Sequence, residues 1–155
     1  MSANIADPLL AIIHENGLID DLQIEEVLQE NNRSGKPISK ILQDSQIMDL
    51  ETQMQIEAEH LGTEVVHGIQ DREIPAEVLA CISPATARMY QCMPLELSGG
   101  TLRVALADPM NPAIVDQIQF VVRKELLVVV ADPEAILAAI SKYYAERAET
   151  FGDIM

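Results

Sequence analysis

The chain has 155 residues and a formal net charge of −15, a length that allows one domain or two small subdomains. Such an acidic balance argues against phosphate-backbone binding, which needs clustered Lys and Arg, and favours a basic partner surface over an anionic membrane. Hydrophobic residues reach 48% but aromatics only 3%, so a core of Leu, Ile, Val, Ala and Met is expected, and no apolar run approaches the roughly 20 residues of a membrane span.

Residues 8–32 read as two helices. Leu9, Leu10, Ile12 and Ile13 give the first an apolar face, and Gly17 ends it. Asp20 then caps the second, with Gln23 placed as its capping-box partner. Ile24, Val27 and Leu28 share one face of that helix. The loop NNRSGK follows, and the pattern recurs at a spacing of about 29 residues. Ile12-Ile13 maps to Ile41-Leu42, Leu18-Ile19 to Ile47-Met48, Asp20 to Asp49 and Val27 to Ile56. Gln46 stands where Gly17 does. Two copies are too few for a solenoid, so a four-helix subdomain is expected in which the pairs bury their apolar faces against each other.

Leu61-Gly62 ends the helical part, and Thr63 to Val66 is a short β-prone run. Pro75 sits at or near the start of a helix carrying Val78, Leu79 and Ile82, and Ser83 caps another that begins at Pro84. From residue 92 to 123 the order is strand, Gly99-Gly100 turn, strand, helix. Leu102, Val104 and Leu106 alternate in the second strand, as a half-buried strand requires. Asp108 is read as the helix-start residue there, with Pro112 in the first turn. Leu126 to Ala131 is a continuous apolar run, expected as a strand buried on both faces and parallel to the previous one. Asp132-Pro133 opens the last helix, carrying Ile136, Leu137, Ile140, Tyr143 and Tyr144. The predicted fold class is α+β: a helical subdomain at 1–62, a mixed α/β subdomain at 63–146 with a three- to four-stranded sheet, and the start of a linker at 147–155.

Reactive chemistry is absent from the pattern. SGKPIS at 34–39 lacks the upstream glycine and the Lys-Ser/Thr pair of a phosphate loop. His14, His60 and His67 have no metal-ligand spacing. Cys81 and Cys92 read as two buried thiols, a disulfide being the alternative. Ser83 and Ser98 lack a nucleophile-elbow context. Asp108 and Asp132 read as caps rather than paired catalytic carboxylates. Met89, Met93 and Met110 read as core filler. No metal, no catalytic residue and no enzyme activity are expected of this chain.

Three stretches nevertheless carry a resemblance: GLIDDLQIEEVLQEN, the run from Leu61 through VALADPMNP, and the terminal YYAERAETFGDIM. They resemble the N-terminal domain of the traffic ATPases that drive type II secretion and type IV pilus assembly. In that family the domain is followed by a linker and a motor. ATP would be used only through such a motor, whose phosphate loop is absent here. The C-terminal FGDIM reads as a cut before the linker, because Phe151 and Ile154 have nothing obvious to pack on.

The resemblance implies two roles. One is docking onto the cytoplasmic domain of an inner-membrane platform protein, which would make the chain cytoplasmic and peripheral to that membrane. The acidic helices, with Glu25, Glu26 and Glu30 foremost and Glu51, Glu57 and Glu59 beside them, are the expected partner face. The other role is sensing: one branch of the family binds cyclic di-GMP through tandem helical motifs that open with Arg-Leu-Gly. Here the triplets are Pro8-Leu9-Leu10 and Pro37-Ile38-Ser39. The motif's apolar positions Leu9, Ile12, Ile13, Leu18, Ile38, Ile41, Leu42 and Ile47 persist, but a helical core alone accounts for them. Proline supplies neither the charge nor the stacking plane of arginine, so cyclic di-GMP binding is expected to be lost or weak. A docking domain is the leading expectation, with a sensing domain or a free-standing adaptor as alternatives. The chain alone is expected as a monomer or weak dimer, binding no nucleic acid and not inserting into the membrane directly.

Overall fold

A computed structural model of the chain describes residues 6–154, with side chains through Tyr144. The side chains of Phe151 and Ile154 lie outside the described ones. The chain divides into two compact units, Met1–Gly62 and Thr63–Met155, and the fold is α+β.

The first unit holds α1 (Pro8–Glu15), α2 (Asp21–Ser34), α3 (Ile38–Asp44) and α4 (Leu50–Leu61). Three aspartates begin three of these helices. Asp7 accepts from the Leu10 amide at 2.9 Å, Asp20 from Gln23 at 2.8 Å and Asp49 from Thr52 at 2.8 Å. At α2 the Gln23 side chain also accepts from the Asp20 amide, completing a capping box. Packing crosses between the repeats, α1 against α4 and α2 against α3. The core contains Leu10, Ile13, Val27 and Leu42, all essentially inaccessible.

α4 turns a different face inward from the one its repeat relationship to α2 implies. Ile56 is only half-buried, whereas Gln53, Met54, Glu57 and Ala58 are buried. A polar chain accounts for Gln53: Gln43 Nε2 donates to Ser39 Oγ at 3.1 Å, and Ser39 Oγ donates to Gln53 Oε1 at 2.9 Å. A buried amide needs such partners, and these tie α3 to α4. Glu57 therefore drops out of the exposed acidic face expected from sequence.

The second unit begins with Val65, which bridges Val130 in parallel. A single 3-10 turn follows at Ile69–Asp71, then α5 (Ala76–Leu79) and α6 (Pro84–Tyr90). The sheet consists of β1 (Cys92–Ser98), β2 (Thr101–Leu106) and β3 (Glu125–Val130) in the order β1-β2-β3. β1 and β2 form an antiparallel hairpin whose turn uses Gly99 at φ +62°. Pro94 lacks an N–H, and β1 tolerates it because β1 is an edge strand. The register shifts between Pro94 and Glu96, a bulge of the kind edges carry. α7 (Pro112–Val122) carries the chain back so that β3 runs parallel to β2. α8 (Pro133–Ile154) closes the unit.

Three expectations are corrected here. The cap of α7 is Asn111, whose side chain accepts from the Ala113 amide at 3.1 Å. Asp108 lies a turn earlier, and its backbone carbonyl accepts from the Asn111 amide. β3 is not buried on both faces: Glu125 and Leu127 are exposed and only Val129 and Val130 are buried. The strand order puts β3 at an edge, and the sheet is covered on both sides only towards the Cys92–Leu95 end of β1. Residues 147–154 continue α8 as helix. Finally, Met93 and Met110 are buried but Met89 is exposed.

Candidate functional site

The tandem helical positions come first because the sequence singles them out. Pro8 is the first residue of α1 and Pro37 immediately precedes α3, so neither of these two positions supplies a cation. Leu9, Ile12, Ile13, Ile41 and Leu42 are buried core. Ile38 and Ile47 are half-buried and Leu18 is exposed. Leu18 and Ile47 are repeat equivalents, and both line a cavity of about 400 Å³ with Gln46, Met48 and Asp49. Asp49 is held below the usual carboxylate range, chiefly by the Thr52 backbone N–H it accepts from. The cavity thus has an anionic edge and no Lys or Arg in its lining.

A second cavity of about 420 Å³ lies between α2 and α3 and is lined by Glu26, Glu30, Lys36 and Asp44 among others. Its charges are already matched. Arg33 grips Glu30 at 2.7 Å, Lys36 meets Asp44 at 3.1 Å, and Lys40 meets Asp44 at 3.5 Å. The Arg33 side chain lowers the pKa of Glu30, and Lys36 does the same for Asp44, so both stay ionised. Every Lys and Arg of this unit therefore faces a carboxylate. A phosphate entering this second cavity would have to displace one, at the cost of uncovering an anion, and the first cavity offers it no cation at all.

On the acidic face, Glu25 and Glu26 are exposed on α2. Glu30 is half-buried and bound to Arg33, so it is not free to meet a partner as the sequence alone implied. Asp20, Asp49 and Asp132 serve as helix caps, Asp132 accepting from the Glu134 amide at 2.9 Å.

In the second unit several polar groups are structural. Arg103 pairs with Glu64 and with Glu96, and Arg72 meets Glu96 at 3.2 Å. Ser83 Oγ accepts from the Thr86 amide, capping α6. Cys81 and Cys92 are free. Burial pushes the Cys92 thiol up to about 12, which removes it as a nucleophile. Among the described residues no cluster of His, Cys, Asp or Glu could hold a metal, and no helix is long and apolar enough to cross a membrane.

One surface in this unit escaped the sequence reading. Phe120 is 81% exposed, Met89 71% and Val121 53%. Tyr90, Phe120 and Val121 line a shallow cavity of about 240 Å³. The signal was present: Phe120 and Val121 fall off the inward stripe of Ile114, Ile118 and Val122, which recurs every four residues.

The profile of the MshEN domain family matches residues 61–150. The chain belongs to the MshEN domain family. The match coincides with the α/β unit, and likeness to single relatives extends over the helical unit too. The type IV pilus assembly ATPase PilB of Myxococcus xanthus (strain DK1622) is 24% identical over 144 residues, 93% of this chain. This MshEN chain spans 25% of that relative's length. Among solved structures, that of MshE with cdg, cyclic di-GMP, shares the fold at a TM-score of 0.75 and 18% identity. It covers 89% of this chain and 99% of that one. The N-terminal domain of XpsE gives a TM-score of 0.64 at 18% identity, covering 93% and 99%. The MshEN chain is thus of the type found at the N-terminus of secretion and pilus-assembly ATPases, as its sequence resemblance implied.

Proposed function

We propose that this MshEN domain is a non-catalytic docking and regulatory module of a secretion or pilus-assembly ATPase. Its partner in this reading is the cytoplasmic domain of an inner-membrane platform protein, which would hold it at the cytoplasmic side of that membrane. ATP hydrolysis would belong to a motor elsewhere in the assembly. The observation that carries the reading is the match to the MshEN domain family over residues 61–150. The partner face proposed is the exposed turn of α2 with Glu25 and Glu26. The test is the affinity of this chain for the cytoplasmic domain of the platform protein from the same organism. Glu25→Lys with Glu26→Lys should weaken it at least tenfold, roughly 1.4 kcal/mol. An unchanged affinity would remove that face from the proposal.

A second reading follows from the likeness to MshE with cdg. The helical unit keeps an apolar frame at the motif positions, yet prolines stand at both helix starts and its cations are all matched by carboxylates. In our reading cyclic di-GMP binding is therefore lost or weak. Calorimetric titration should show no saturable heat at micromolar ligand, and low-micromolar affinity would overturn this.

A further inference from the structure

Arg88, Arg123 and Lys124 set the second unit apart from the rest of the chain. The other six Lys and Arg with described side chains each meet a carboxylate or, for Lys142, the Gln70 carbonyl. The side chains of these three make no ion pair or hydrogen bond among the described residues, in a chain of net charge −15. Arg88 lies in the last turn of α6, and Arg123 directly ends α7. A helix C-terminus favours a cation by about 0.3–1 kcal/mol, which accounts for their position but not for their apolar neighbours. Next to them in the chain are the exposed Met89, Phe120 and Val121, and α6 and α7 meet at the shallow cavity of Tyr90 and Phe120. Apolar side chains in the middle with charge at the rim is the anatomy of a protein interface.

The chain itself carries the complementary surface. On α2, Leu22 is 63% exposed, and Asp21, Glu25 and Glu26 surround it at helical spacing. We propose that the α6–α7 face takes the α2 face of a second copy of this chain. Leu22 would meet Phe120 and Val121, while Glu25 and Glu26 would meet Arg123 and Lys124. Asp116 also lines the cavity of the α6–α7 face, but three cations leave that face net positive, so a contact of either face with itself would oppose like net charges, which costs affinity. The contact is therefore head-to-tail, and a pair of copies is left with one free face of each kind. Such a contact closes into a ring or runs on as a chain. It stands independently of docking on a platform protein. Since it uses the same turn of α2, a platform partner there would compete with it.

The test is sedimentation velocity of the chain alone over a concentration series. The native chain should sediment faster as concentration rises, and added salt should reverse this. Arg123→Glu with Lys124→Glu in one variant, and Glu25→Lys with Glu26→Lys in another, should each abolish association, because each then presents two faces of one sign. An equimolar mixture of the two variants should associate again, since every face then finds its opposite. Circular dichroism checks that both variants stay folded. Phe120→Ser should weaken association at least tenfold without changing charge. A native chain that remains monomeric at every concentration overturns the proposal, and so does a mixture that fails to associate.

Discussion

Gln46 occupies, one repeat later, the left-handed backbone position of Gly17. The two φ values are +58° and +73°. The surrounding hydrogen bonds repeat as well: Leu18 N–H donates to Ile13 O at 3.0 Å and Ile47 N–H to Leu42 O at 3.0 Å. The turn geometry has survived duplication although the glycine has not. A side chain in this conformation costs roughly 1–2 kcal/mol. A Cβ at Gly17 would meet nothing within 4 Å, so at that site the cost is backbone strain alone. Gln46→Gly should therefore stabilise the helical unit by about 0.5–1 kcal/mol, the gain being reduced by the entropy glycine adds to the unfolded chain. Gly17→Gln should destabilise it by about 1 kcal/mol. Urea midpoints check both, and a destabilised Gln46→Gly variant would contradict the strain account.

That turn also marks what the sequence made legible. The repeat, the Asp20 and Asp49 positions, the Gly99-Gly100 hairpin and the α+β class rest on local rules, and local rules need only neighbours in the chain. The buried face of α4 does not: Gln53 faces inward because Ser39, on another helix, offers it a hydroxyl. β3 reads as fully buried from its apolar run, yet its place at the sheet edge follows from strand order. Two misreadings were avoidable. The Glu30–Arg33 pair has the i, i+3 spacing of a helical ion pair. And a proline at the first helical position makes Asn111, not Asp108, the residue that must cap α7.

The Asn111 cap gives a direct check of the last point. Its side chain satisfies an amide that would otherwise have no intrahelical partner. Asn111→Ala should cost about 1 kcal/mol, whereas Asn111→Asp should be close to neutral. Thermal melts of the two variants compare them, and equal losses would mean that capping is not what position 111 supplies.

Tyr144 fixes α8 to the rest of its unit. The ring is fully buried, and its hydroxyl donates to the Leu79 carbonyl at 3.1 Å across 65 residues of sequence. Tyr144→Phe keeps the packing but removes the shorter of two hydrogen bonds at that carbonyl, which also accepts from the Ile82 amide at 3.4 Å. The expected loss is about 1 kcal/mol, read as a lower denaturant midpoint with an unchanged slope. A loss within measurement error would mean that the Ile82 amide alone satisfies Leu79.

Acid should weaken the helical unit through three carboxylates. Glu30, Asp44 and Asp49 are all held below their usual range, the first by Arg33, the second by Lys36 and the third by the Thr52 backbone N–H. A folded pKa below the unfolded one means that the unfolded chain binds protons first as pH falls. The contribution is full above the unfolded carboxylate value near 4 and is lost as pH drops through the folded values. Stability should thus fall between about pH 5 and about pH 3. Salt separates the causes, because exposed ion pairs are screened while the Asp49 backbone hydrogen bond persists. Asp49→Asn retains a cap yet cannot titrate. At high salt this variant should lose less stability on acidification than the native chain does, and identical pH profiles would show that Asp49 contributes nothing to the acid transition.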